Sequence, residues 1–84
     1  MSPTIPIEGK GAEKYAFRFF SSDLREPPHF HVYRGNKRAK IWIKTLELEW
    51  NRGYNLPELN EIRRLARENR ALLLEVWNEH FSQE

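Results

Sequence analysis

Cysteine is absent from the 84 residues of this chain. That excludes disulfide staples, thiolate catalysis and cysteine metal sites, and it suits a reducing compartment. No apolar run approaches the roughly 20 residues that span a bilayer, and the amino terminus lacks the apolar core of a signal peptide. The expectation is a soluble cytoplasmic protein with no membrane partner. Internal repeats and low-complexity tracts are also missing. A further scarcity is local. From Arg34 to Lys44 there are five basic residues and no acidic one, whereas acidic residues concentrate after Leu46. With a formal net charge of only +2, this makes the segment a positive patch on a nearly balanced molecule. The length suits a single domain over 1–84 with a limited core.

Residues 1–13 read as irregular, with Thr4, Ile5 and Ile7 as an extended segment at a sheet edge. Tyr15 to Ser21 is the first strand: Tyr15, Phe17 and Phe19 alternate with Ala16, Arg18 and Phe20, and both faces are rather apolar. Pro27-Pro28 cannot donate to a sheet ladder and marks a stiff entrance to the next strand. With Gly35-Asn36 as a two-residue turn, Arg34 lies opposite Lys37, and a full register follows. Val32 meets Ala39 and Phe30 meets Ile41 on one face. Tyr33 meets Arg38, His31 meets Lys40 and His29 meets Trp42 on the other. One face is apolar, the other basic and aromatic, and a one-residue slip would scramble them.

Thr45 to Trp50 prolongs the sheet, with Leu46 and Leu48 alternating against Glu47 and Glu49. Residues 51–54 form a turn. Asn55 is a helix N-cap, with Pro57 in the first turn and Glu58 three residues after the cap. Over 56–82 the pattern is helical: Leu59, Ile62, Ala66, Leu73, Val76 and Trp77 share a stripe, widened by Leu65 and Leu72. Asn69 and His80 fall within it, read as a buried hydrogen-bonded bend marker and a core-edge histidine. An unbroken helix would be about 36 Å long against about 25 Å for the longest strands, so it overhangs the sheet or bends near Asn69. The fold class is α+β: an antiparallel sheet of three to four strands over 14–50, with a long C-terminal helix, or two in tandem, packed on one face.

Three chemistries compete for the basic face. A metal would need three or four ligands, of which His29 and His31 supply two and Asp23 or Glu26 a third, but Arg38 and Lys40 repel a cation. No cofactor is expected. Metal-independent cleavage of RNA would use His29 and His31 as base and acid, with Lys40 stabilising charge on the phosphate, since imidazole titrates near 6.5. Binding without chemistry would use Arg18, Tyr33, Arg38, Trp42 and Lys44 toward RNA or a protein partner, and a homodimer is compatible with the same face. The plainest reading leaves all of these as ordinary polar residues on a solvated sheet.

The combination Pro27, Pro28, His29, His31 and Val32, then Ala39, Lys40, Ile41 and Trp42, resembles a family of short bacterial proteins of unknown function. The likeness continues through Leu46-Glu47-Leu48, Asn51-Arg52-Gly53, Glu68-Asn69-Arg70 and Trp77-Asn78-Glu79. Some members, the DhiT-like group, are described as toxins of type II toxin–antitoxin pairs. The resemblance therefore implies a small cognate protein, antitoxin-like, encoded nearby. Many members carry a further histidine just after the aspartate that precedes the prolines. Here Asp23 is followed by Leu24-Arg25-Glu26, so the three-histidine set is reduced to two.

Overall fold

A computed structural model describes residues 4–19 and 25–81. Four antiparallel strands lie in sequence order across one sheet: β1 (Ala16–Arg18), β2 (His29–Arg34), β3 (Lys37–Trp42) and β4 (Leu48–Arg52). Two helices follow, α1 (Leu56–Glu68) and α2 (Arg70–Phe81). The α+β class is thus realised with four strands and a helix broken at Asn69.

The β2–β3 register runs through all six expected pairs, from His29 with Trp42 to Arg34 with Lys37. Gly35 takes φ 60° as the first turn residue, a left-handed conformation that glycine adopts without steric cost. Phe30, Val32, Ala39 and Ile41 are fully buried and pack with Phe17 and with Leu59, Ile62, Leu65 and Ala66 of α1. The alternation in the hairpin sets which side the helices cover.

The N-terminal segment covers the free edge of β1. Thr4 bridges Arg18, and the Ile5 amide donates to the Phe17 carbonyl at 2.8 Å. Asn69 fastens the other end of the segment. Its side chain accepts from the Glu8 amide at 3.1 Å and donates to the carbonyls of Glu8 at 2.8 Å and Leu65 at 2.7 Å. A buried amide that satisfies three backbone groups explains both the bend and its position. The α1 N-terminus is closed by a reciprocal capping box between Asn55 and Glu58, with Pro57 in the first turn.

Two strands differ from expectation: of the expected Tyr15–Ser21, β1 takes only Ala16–Arg18, with Tyr15 and Phe19 outside it, and β4 is displaced. Thr45–Trp50 was expected as strand and 51–54 as turn, yet β4 runs from Leu48 to Arg52. The Thr45 hydroxyl accepts from the Glu47 amide at 3.2 Å, a local turn that competes with the ladder. Leu46 sits at φ 64°, held there by burial and by the bond from its amide to the Trp42 carbonyl at 2.8 Å. The sheet resumes at Leu48 opposite Ile41, but Trp50 pairs with the adjacent Lys40, so Glu49 is an extra residue, a β-bulge. The first strand's expected end at Ser21 and the helix's at 82 both lie outside the described residues.

Candidate functional site

The strand pairing lines up side chains across all four strands on the side facing away from α1. One row reads Arg18, His31, Lys40, Trp50, and the next reads Ala16, Tyr33, Arg38, Arg52. His29 and Trp42 form a third, at the Pro27-Pro28 end. Three cations lie over three rings: Arg18 over Tyr33 at 5.6 Å, Lys40 over Trp42 at 5.0 Å and Arg52 over Trp50 at 5.4 Å. Such contacts orient a guanidinium or ammonium without neutralising it.

The two histidines occupy different environments. Their rings are 5.4 Å apart, but His29 is wholly buried whereas His31 is half-buried. Trp42 and Trp77 lie 5.4 and 5.3 Å from the His29 ring, and Trp77 also meets Phe19 of the core at 5.1 Å. The end of α2 thus seals the start of β2. His29 Nδ1 lies 2.9 Å from the Pro27 carbonyl, which can only accept, so Nδ1 carries a proton. His31 faces Trp50, with the rings 5.9 Å apart.

Among the sequence-predicted residues, His29, His31, Lys40, Arg18, Tyr33, Arg38 and Trp42 come together on this face. Lys44 does not join the rows: it lies in the turn past the last paired residue of β3 and is exposed. Trp50 and Arg52 complete the face and escape sequence reasoning, because strict alternation would put Trp50 on the side of Leu48. The bulge at Glu49 reverses that, leaving Leu48 against the core and Trp50 beside Lys40. A tryptophan and an arginine two apart after an acidic pair are the only trace of it in the sequence.

A family model described as "Domain of unknown function (DUF4160)" matches residues 15–78. The chain belongs to this family. The DUF4160 match takes in the four strands, α1 and most of α2, and hence every residue of the face just described. No curated protein and no solved structure matches the chain.

Not all of the positive charge on the DUF4160 hairpin is available. Arg34 and Lys37 lie 3.3 and 2.7 Å from the Glu58 carboxylate at the start of α1. The Lys37 hydrogen bond, then that of the Asn55 amide, holds the Glu58 carboxyl below the usual range. Lys40 Nζ lies 2.5 Å from Glu26, whose pKa is lowered first by that bond and further by the charges of Lys40, His29 and His31. Arg18, Arg38 and Arg52 have no ion pair among the described residues and supply the open positive charge. For a metal, the candidate set His29, His31 and Asp23 includes a residue outside the described ones. Among those described, no three His, Asp or Glu side chains gather.

Proposed function

We propose that the outer sheet face is a platform for single-stranded RNA, and that the chain is the toxin-like member of a two-gene module whose small partner covers that face. The cross-sheet rows carry this reading: Tyr33, Trp42 and Trp50 are partly exposed, with cations at Arg18, Arg38, Lys40 and Arg52 between them. Bases stack on any aromatic face and phosphates pair with the interleaved cations, which favours an unpaired strand over a duplex whose bases are hidden.

Binding of a labelled single-stranded oligoribonucleotide, followed by fluorescence anisotropy, tests the platform. Replacing Trp50 by alanine removes one stacking surface and is expected to weaken affinity about 5- to 150-fold. Affinity that survives the Trp50→Ala and Tyr33→Ala changes together would show that RNA does not use this face.

A second reading is favoured by the two imidazoles 5.4 Å apart beside Lys40. Cleavage would proceed by removal of the 2′-hydroxyl proton, attack of that oxygen on phosphorus, and departure of the 5′-oxygen with a proton from the acid. This leaves a 2′,3′-cyclic phosphate. In this reading His31 and His29 act as base and acid and Lys40 stabilises the phosphorane charge, His31 being the more exposed of the two rings. Equal, background-level cleavage by the native protein and a His29→Ala/His31→Ala variant would leave a binding module without chemistry. The partner is tested by co-purification with the neighbouring gene product, and a Trp42→Ala variant should lose it.

A further inference from the structure

Among the described residues, Glu26 is the one acidic side chain bonded to a cation of the rows. Its Oε1 lies 2.5 Å from Lys40 Nζ and 3.8 Å from His29 Nδ1. The Lys40 side chain is 13% exposed and that of Glu26 47%, so the carboxylate lies between the ammonium and water. Beneath, Lys40 is hemmed in by the Trp42 ring at 5.0 Å and by its cross-strand neighbours His31 and Trp50. Among the described residues, the only anion on this pocketed cation is Glu26, from the loop that leads into β2.

We infer that Lys40, flanked by His31 and His29, is a seat for a phosphoryl oxygen, and that Glu26 is its resident competitor, displaced when a phosphodiester binds. The inference rests on the RNA reading for its ligand and adds where one phosphate sits and what it must replace. A carboxylate and a phosphoryl oxygen present the same charge-assisted acceptor to an ammonium, so the position of Oε1 marks where a phosphate oxygen would lie. The two anions repel one another and cannot share the seat. Exchange is cheap, because an ion pair with one half-exposed partner holds weakly. It needs only rotation of the Glu26 side chain, since Pro27-Pro28 stiffens the backbone that follows.

The seat is tested by titrating inorganic phosphate into the native protein and into Glu26→Gln and Lys40→Gln variants, following the Trp42 indole and His31 ring signals by NMR. Phosphate should perturb both signals in the native protein. The midpoint should fall about fivefold in Glu26→Gln, and the response should vanish in Lys40→Gln. A midpoint unchanged or raised in Glu26→Gln would overturn the proposal, for Glu26 would then be a brace that holds Lys40 in place. That variant alters a half-exposed side chain and decides the matter even if the Lys40 variant misfolds. A single-stranded oligoribonucleotide without terminal phosphates separates the two claims. Phosphate binding with the Glu26 effect but no oligonucleotide binding keeps the seat and rejects the RNA reading. Oligonucleotide binding that ignores the Glu26 charge keeps the RNA reading and rejects the seat.

Discussion

Tyr15 and the carboxyls of Glu26, Glu58 and Glu61 each link folding to pH. Burial first, then the hydrogen bond its hydroxyl donates to Glu61 at 2.6 Å, pushes the Tyr15 phenol up to about 12. A raised pKa means that the folded state keeps the proton longer. The stabilisation is complete below the ordinary value of 10.0 and is lost as pH climbs from there toward 12. Glu26, Glu58 and Glu61 behave in the opposite sense. Their pKa values are lowered, led by hydrogen bonds from Lys40, Lys37 and Tyr15 respectively. Their contribution is complete above the ordinary 4.5 and is lost as pH falls through the depressed values. Thermal melts across pH should show a plateau between these limits, with a shallower acid limb in Glu58→Gln and a shallower alkaline limb in Tyr15→Phe. Identical acid limbs for Glu58→Gln and the native protein would deny Glu58 its part.

At the scale of elements, Asn69 joins the two helices to the N-terminal segment. Truncation to alanine leaves the Glu8 amide and carbonyl without their side-chain partners and should cost about 1–3 kcal/mol. The loss is checked by denaturant unfolding, together with faster hydrogen exchange at the Glu8 amide. Removing the α1 cap with Asn55→Ala should cost about 1 kcal/mol by the same measurement. The elements also show what was legible beforehand. The β2–β3 hairpin could be read pair by pair because its glycine-led turn and its alternation agree. The Asn55 cap and the bend at Asn69 were legible because each is a polar residue where the apolar pattern starts or is interrupted. The bulge at Glu49 was not, since it depends on backbone geometry around Leu46 that no periodicity encodes. The burial of His29 was equally hidden: its cover, Trp77, lies 48 positions later in the sequence, and a stripe on a helix does not say which strand end it reaches. The pairing of the two central strands was therefore legible, whereas the burial of His29 and the path of β4 were not.

Taken whole, the molecule divides its sheet between two roles. One side is spent on a core of Phe17, Phe30, Val32, Ala39 and Ile41 under α1. The other carries Arg18, Arg38, Lys40 and Arg52, spread over three strands rather than clustered. Among the described residues no helix is long and apolar enough to cross a membrane. If all four cations meet phosphates of a single strand, the logarithm of affinity should fall with the logarithm of salt concentration at a slope of about −3. Arg38→Ala should lessen that slope by about 0.7 and weaken all sequences alike. A salt-independent affinity would point to a protein partner held by the aromatic rings alone.

The clasp between Glu8 and Asn69 also has a consequence in time. The two residues are 61 positions apart, whereas the β2–β3 pairs close across a two-residue turn. Loop closure makes distant contacts costly early and affordable only once the intervening chain is compact. During synthesis the N-terminal segment emerges first, yet its anchor appears only after α1 is made. The Glu8–Asn69 clasp is therefore expected to close only once the helices dock, after the short-range contacts of Thr4 with Arg18 and Ile5 with Phe17.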